Sequence, residues 1–272
     1  MANPRLMIDA ALKPGADIAL DEAQARHVGA VLRLDVGDAL RVFNAADGEW
    51  RARVAAKTKR GMSVRVEDFL RAARTTPDLD LLFAPVKRHA TDLIVEKATE
   101  LGVRRMRPVL TQRTIAETVR LDRLQTIARE AAEQTERFDA PEILEPLPLA
   151  KALDGWDASR PLIYADEAGD VAGEPWGGER GRATPIAEAL GLWTAGVSPA
   201  GDGVGRRHAA GPHKLALLIG PEGGFTPDER RMLRRLPYII PVSLGPRILR
   251  AETAAIAALS VIQSAWGDWR GS

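Results

Sequence analysis

Hydrophobic and polar positions along this chain follow two rhythms. Between Asp21 and about Leu32 apolar residues recur at helical spacing, and after Gly37-Asp38 three runs alternate with period two: Ala39 to Phe43, Glu49 to Ala55 and Met62 to Asp68. Such alternation predicts strands. In the second run Trp50, Ala52 and Val54 share one face and Arg51 and Arg53 the other; in the third, Met62, Val64 and Val66 oppose Ser63, Arg65 and Glu67. Paired as a hairpin, these runs present Arg51, Arg53 and Arg65 on one outer face, with Lys57, Lys59 and Arg60 at the tip. Near Ala72 to Pro77 short strands give way to strands alternating with helices, which signals α/β organisation. The expected domains are therefore residues 1–74 and 75–272.

In the second domain Leu79 to Ala84 reads as a strand, Thr91 to Leu101 as a helix stopped by Gly102, and Met106 to Leu110 as the next strand. Leu121 to Phe138 is a longer helix with an apolar face of Leu124, Ile127, Ala128, Ala131 and Phe138; its Glu130, Glu133, Gln134 and Arg137 read as a solvated face, with Glu133 and Arg137 paired at i,i+4. Leu162 to Ala165 is a strand. Residues 168–213, rich in Gly, Pro and Ala, show one short helix at Pro185 to Leu192 and read otherwise as an insertion. Leu215 to Ile219 is a buried-type strand, followed by the glycine loop Gly220-Pro221-Glu222-Gly223-Gly224 and by Thr226-Pro227-Asp228-Glu229, which has the N-cap, first-turn Pro and Glu of a helix start. A strand (Tyr238 to Leu244), a second glycine turn (Gly245-Pro246) and Arg247 to Thr253 then lead into an Ala-rich helix. Ligands of open α/β sheets bind at such carboxyl-end loops.

Composition narrows the chemistry. The chain has 272 residues, 38 Lys+Arg against 37 Asp+Glu and no Cys, which excludes disulfide frameworks, zinc-thiolate sites and cysteine nucleophiles. The four His (His27, His89, His208, His213) have no metal-ligand spacing, so no metal is expected. Met1 to Ala10 has no apolar leader core, and the longest uncharged apolar-leaning stretch, Thr253 to Gly267, is 15 residues, short of the roughly 20 that cross a bilayer. A cytoplasmic location is expected. The near-neutral total conceals a cluster: residues 51–74 hold eight basic and two acidic side chains, a surplus of six, whereas residues 1–50 hold five basic and eight acidic. A clustered patch favours a polyanion more than a whole-chain sum suggests, although a solvated outer face guarding a sheet edge explains it equally well.

The first glycine loop lacks the Walker Lys and Ser/Thr, does not fit G-x-G-x-x-G, and places the carboxylate Glu222 where phosphate would sit. A nucleoside triphosphate is disfavoured, whereas an adenosine ligand with a cationic far end, such as S-adenosylmethionine, would not be repelled. Structural turns and a ligand site both remain open for the two loops. Gly201 to Gly205 lacks a flanking strand and capped helix and reads as loop. Lys87, Arg88 and His89, after a strand, face either solvent or a ligand. Arg250 and Glu252, at the mouth of the second turn, are the charged residues that most favour a function.

These two segments, Leu218 to Phe225 and Leu244 to Thr253, closely resemble the RsmE-type 16S ribosomal RNA uridine N3-methyltransferases of the SPOUT superfamily. Glu96 to Val103, Ala128 to Arg137, and His27-Val28 through Val31-Leu32-Arg33 with Gly37-Asp38 extend the resemblance, in the family's order, across nearly the whole chain. It implies a small PUA-like β-barrel for RNA at residues 1–74, with Arg33, Arg51, Arg53, Lys57, Lys59, Arg60 and Arg65 as RNA contacts, and Arg5 as a candidate for an N-terminal basic arm. It implies a C-terminal α/β trefoil-knot methyltransferase domain that works as a homodimer on 16S rRNA or the small ribosomal subunit. The cofactor would be S-adenosylmethionine, held by Leu218, Ile219, Gly220, Glu222, Gly223, Gly224, Val242, Leu244, Gly245, Ile248, Leu249 and Arg250. Arg250 would stabilise charge on the target base, with Glu222 or Glu252 as general base.

The helix after Arg250, with Ile256, Leu259, Ile262 and Trp266, is nearly free of charge on every side, and is expected to be buried all round, in a core or across a dimer interface. Two other functions fit the residues less fully: a non-catalytic RNA-binding ribosome assembly factor, and a small-molecule enzyme with an adenosine cofactor.

Overall fold

The computed structural model describes residues 3–59, 61–115, 118–194 and 214–269. By contact the chain forms two units, Met1–Thr75 with Arg129–Ala140, and Thr76–Ala128 with Pro141–Ser272. The first unit thus takes in a segment that the sequence pattern assigns to the second domain.

The first unit contains β1 (Arg5–Met7), β2 (Asp17–Ala19), α1 (Glu22–Arg26), which runs on as a wider turn through His27–Val31, β3 (Ala39–Asn44), β4 (Gly48–Thr58) and β5 (Gly61–Arg71). The sheet order is β1-β3-β4-β5-β2, with β1 parallel to β3 and the other neighbours antiparallel. Inward positions of the period-two pattern, among them Leu40, Val42, Ala52, Val54, Val64 and Val66, pack with Leu6, Ile8 and Val28. Arg53 stands directly opposite Arg65 across the hairpin, so the predicted basic face exists.

Arg5 does not serve a basic arm. It is 7% exposed, its Nε donates to Glu49 at 2.7 Å, and its other nitrogens donate to the carbonyls of Ala132, Glu133 and Arg137. The end of a helix offers such unpaired carbonyls and a partial negative charge. The guanidinium also lies 3.8 Å over the Phe43 ring. Glu49, 1% exposed, is ringed by Arg5, Arg41 and Arg71. The expected solvated face holds at Glu130 and Gln134, which are exposed, and is corrected at the other two: Glu133 is buried and accepts the Met7 N–H at 2.9 Å, while Arg137 pairs with Asp139. Burial pushes the Glu133 carboxyl pKa up, and the Met7 N–H opposes that rise.

The second unit is a parallel sheet covered on both faces. Its elements are β6 (Asp78–Phe83), α2 (Arg88–Glu100), β7 (Arg105–Leu110), α3 (Leu121–Gln134, whose last turns belong to the first unit), β8 (Glu142–Ile143), β9 (Leu147–Pro148), α4 (Leu149–Leu153), β10 (Leu162–Ala165), β11 (Thr184–Pro185), α5 (Ile186–Thr194), β12 (Lys214–Ile219), α6 (Pro227–Arg234), β13 (Ile239–Ser243) and α7 (Ala251–Ala265). The strand order is β11-β13-β10-β12-β6-β7-β8, with β9 also on β7, and every pairing is parallel. Such strands are apolar on both sides. Leu79, Leu81, Leu215, Leu217 and Ile219 pack with Ile94 of α2, Leu190 of α5 and Leu259 of α7, while Leu82, Leu162, Tyr164 and Leu218 pack with Leu153 of α4 and Leu233 of α6.

Residues 184–190 of the predicted insertion are built into the sheet and core. Thr184–Pro185 form the strand β11, which pairs with β13, and Ile186, Ala189 and Leu190 of α5 are core residues. The last part of the predicted insertion, 195–213, lies outside the described residues, as do Arg60 and His208. Within one chain α7 is fully buried along one side only, by Ala251, Ala255, Ala258, Leu259 and Ile262; Ile256, Ser260 and Val261 are half-buried. The expectation of burial all round therefore fails for a single chain. Among the described residues no helix is long and apolar enough to cross a membrane.

Candidate active site

The carboxyl ends of β10, β12 and β13 carry three loops. After β12 the chain turns sharply at Gly220 to Gly224. A Cβ on Gly220 would run into the Phe225 ring, and Gly224 sits at φ +67°, so this loop needs residues without side chains. Phe225 packs edge-on against Tyr164, 5.1 Å between centroids. The helix start read from the sequence is present: Thr226 Oγ1 accepts the Glu229 N–H, and Glu229 Oε2 accepts the Thr226 N–H at 2.9 Å. The other Glu229 oxygen accepts the Gln112 N–H at 2.8 Å, and Arg113 donates to the Gly223 carbonyl at 2.8 Å, so the loop after β7 braces the glycine loop.

The second turn, after β13, passes through Gly245 at φ +117°. It is held by Glu167, just beyond β10, whose carboxylate accepts the Leu244 N–H at 2.6 Å and the Ser243 hydroxyl at 3.2 Å. Burial raises the Glu167 pKa, against the pull of these donors. Arg250 is the N-cap of α7, extended and exposed; its side chain makes no capping bond. In the first turn of α7, Glu252 buries one carboxylate oxygen that has no hydrogen-bond partner.

The third loop is fastened by charge. Asp166, 2% exposed, receives Arg230 and Arg234 of α6, and Arg230 also donates to the carbonyls of Ala168 and Gly169. Burial and the nearby Asp166 charge hold the Tyr164 phenol well above its ordinary pKa.

Together these loops enclose a cavity of about 620 Å³, within the roughly 300–1,000 Å³ of small-molecule sites. Of the residues expected to hold a cofactor, Ile219, Gly220, Glu222, Gly223, Gly224, Leu244, Ile248 and Leu249 line it. Leu218 and Val242 instead point into the two cores, and Gly245, Arg250 and Glu252 are not part of the lining. Glu222 faces both this cavity and a neighbouring cleft of about 60 Å³ formed with Lys87, Arg113 and Ile115. Arg88 and His89 are exposed in the first turn of α2. The glycine cradle, the carboxylates Glu222 and Glu167 and the apolar Leu244, Ile248 and Leu249 suit a donor that is adenosine at one end and cationic at the other. Arg113, Arg230, Arg231 and Arg234 line the cavity as well, so it carries charge of both signs.

In the first unit the predicted basic residues are exposed but largely paired. Arg51 meets Asp68, Arg53 meets Glu67, and Arg65 donates to both Asp17 oxygens at 2.8 and 2.5 Å. Lys57 bonds the Leu34 carbonyl. Arg33, at φ +57°, and Lys59 are exposed and, among the described residues, meet no carboxylate. The hairpin face is thus closer to neutral than the count of its arginines suggests.

Glu167, Asp166, Arg230, Arg234 and Trp176, all lining residues, are not among those the sequence pattern predicts. A signal was present, since Asp166-Glu167-Ala168-Gly169 directly follows an apolar strand, where the switch-point rule places ligands. Glu167→Ala is expected to release Leu244 and weaken donor affinity roughly tenfold, as one charge-assisted hydrogen bond is worth about 1.5–3 kcal/mol. Calorimetric titration of wild type and variant checks this; equal affinities would show that the loop holds its shape unaided.

The sequence and fold have clear relatives. A family model described as "RNA methyltransferase domain" matches residues 74–191 and 196–263, and one described as "RNA methyltransferase PUA domain" matches 20–67. The ribosomal RNA small subunit methyltransferase E of Rickettsia conorii is 30% identical over 264 residues, 97% of this chain and 96% of the relative. That of Synechocystis is 32% identical over 92% of this chain and 73% of its own length. A crystal structure of the Neisseria gonorrhoeae methyltransferase bound to S-adenosyl methionine superposes with a TM-score of 0.78 at 26% identity, covering 98% of this chain and 99% of the other. A Legionella pneumophila protein in complex with SAM gives the same TM-score at 29% identity, with 98% and 100% covered.

Proposed function

Because the chain belongs to the ribosomal RNA small subunit methyltransferase E family, we propose that it methylates N3 of a specific uridine in 16S ribosomal RNA, in the small subunit, from S-adenosylmethionine. The observation that carries this reading is the cavity between the two glycine turns, acidic at Glu222 and Glu167 and cradled by Gly220, Gly223 and Gly224.

When bound, S-adenosylmethionine supplies an electrophilic methyl group on a sulfonium, which keeps the bonding electron pair as the methyl leaves. The protein has two tasks: to align the uracil nitrogen with that methyl and to accept its proton. Orientation alone can supply about 7–11 kcal/mol, and the loops that provide it are fixed by Glu167, Glu229 and Arg113. A general base adds about 10²–10⁴-fold. Glu222 and Glu252 are the two candidates; Glu222 opens into the cavity, whereas Glu252 holds a buried oxygen without a partner. Arg250, exposed and making no capping bond to α7, stabilises negative charge growing on a uracil carbonyl oxygen.

We assign RNA contact to the first unit, a PUA-like barrel in which Arg51, Arg53 and Arg65 exchange carboxylate partners for phosphates while Arg33, Lys57 and Lys59 add to the patch; Arg60 completes it in sequence. The trefoil knot of the second unit is supported by β13, which enters between β10 and β11 although β11 follows β10 in the chain. Homodimer formation is supported by the half-buried face of Ile256, Ser260 and Val261. Sedimentation at micromolar concentration is expected to give twice the chain mass of 29.5 kDa; a monomer would refute the pairing.

The function is tested by mass spectrometry of ribosomal RNA from cells lacking the gene. One 3-methyluridine of 16S rRNA should disappear and return with a plasmid copy. Its persistence would reject the assignment.

A further inference from the structure

Trp176 is a feature of the cavity that the family resemblance does not explain. It is a large aromatic residue left 42% exposed, and it adopts φ +52°, ψ +23°. Left-handed backbone at a bulky residue costs of the order of 1–3 kcal/mol and persists only where its surroundings enforce it. Here they do. Gly169 N–H donates to the Trp176 carbonyl, Val171 N–H to that of Gly177 and Asp170 N–H to that of Arg180, each at 2.8 Å. Arg230 and Arg234 then clamp the same loop through Gly169, Asp170 and Gly181. The two following glycines are also left-handed, at φ +72° and +64°, so the chain is bent specifically around the tryptophan.

The indole is directed at the first glycine loop. A Cβ on Gly224 would stand 3.2 Å from Trp176 Cζ3, so the ring rests on that backbone. It lines the cavity together with Leu244, Ile248 and Leu249 of the second turn. An exposed aromatic face held by strain beside an apolar wall has the form of a stacking platform, since every nucleobase offers a π-face and stacking on an aromatic ring is worth about 1–3 kcal/mol in nucleic-acid complexes.

We infer that Trp176 is a donor-binding residue whose indole stacks on the adenine ring of the cofactor. The assignment rests on the methyltransferase reading above. The adenine suits this wall of the cavity because Trp176, Leu244, Ile248 and Leu249 offer an uncharged surface, while Glu167, beside Leu244, and Glu222, in the glycine loop, are carboxylates within reach of the cationic methionine end. It also gives a role to residues 168–182: Asp166, Arg230 and Arg234 hold the loop so that its tryptophan covers the donor.

The probe is S-adenosylhomocysteine, titrated calorimetrically into wild type, Trp176→Phe and Trp176→Gly. Glycine adopts φ +52° without strain, so Trp176→Gly is expected to melt no lower than wild type while binding at least tenfold more weakly, about 1.4 kcal/mol. Trp176→Phe keeps a ring and should bind within threefold of wild type. 5′-Methylthioadenosine, which lacks the amino-acid end, should lose the same factor in Trp176→Gly. Binding should also change the tryptophan emission of wild type, and that change should be absent in Trp176→Phe. Wild-type affinity in Trp176→Gly would overturn the inference. Unchanged donor affinity with a raised KM for RNA would assign the ring to the target base instead and overturn it equally. A wild-type protein that does not bind S-adenosylhomocysteine at all would refute the parent reading, a distinct outcome.

Discussion

Arg250→Ala is expected to slow single-turnover methylation by about 10²–10³-fold with donor and RNA saturating, the range lost when one donor is removed from an oxyanion site. The side chain makes no capping bond to α7 and is exposed, so its removal should leave folding and donor affinity unaltered. On the proposed mechanism the loss should appear in the rate of the chemical step, since the guanidinium would meet charge only as the uracil nitrogen loses its proton. Arg250→Lys should recover part of the rate, as a point charge survives but the planar fork does not. A normal rate for Arg250→Ala would remove this residue from the chemistry and leave the burden on the loops.

Glu49→Ala is expected to destabilise the first unit by about 3–5 kcal/mol, the cost of breaking a buried ion pair and stranding its partner. Glu49 is 1% exposed and faces three guanidinium groups, of which Arg5 is itself buried. Without the carboxylate those charges repel one another with little water to screen them. Typical domains have only about 5–15 kcal/mol in total, so the change should be plain in urea titrations. Glu49→Gln, which retains the shape, should lose much of the same stability because the loss is one of charge. A shift below 1 kcal/mol in both variants would mean that the arginines find other acceptors, with Glu136 the nearest for Arg41 and Arg71.

What could be read from the sequence was periodic or strictly local. The runs at Leu79, Leu162 and Leu215 are strands because both faces of a parallel sheet are buried, and the Thr226 to Glu229 cap is a four-residue motif whose partners lie within it. The three-residue strands β1 and β2 are too short to show a period. The burial of Glu133 leaves no local trace because its partner, the Met7 N–H, is more than a hundred positions away, and the Arg137 backbone carbonyl likewise meets Arg5. The hairpin arginines were placed on the correct face, but Asp17, which neutralises Arg65, belongs to the unrecognised β2. Residues 168–183 yielded nothing because their order depends on arginines of α6 and on left-handed bends, neither of which leaves an apolar pattern.

The pocket for Arg5 is made of chain from both ends of a long excursion: Glu49 and Phe43 precede it, while the carbonyls of Ala132, Glu133 and Arg137 follow it. During synthesis, at about 5–20 residues per second, the ribosome must deliver β6, α2 and β7 before it delivers the last piece of the unit that was begun first. The N-terminal unit therefore matures late although it is made early. A fragment cut at Thr75 leaves Arg5 without three of its acceptors and Phe43 without Phe138, so an excised first unit needs residues 129–140 grafted back to hold its shape.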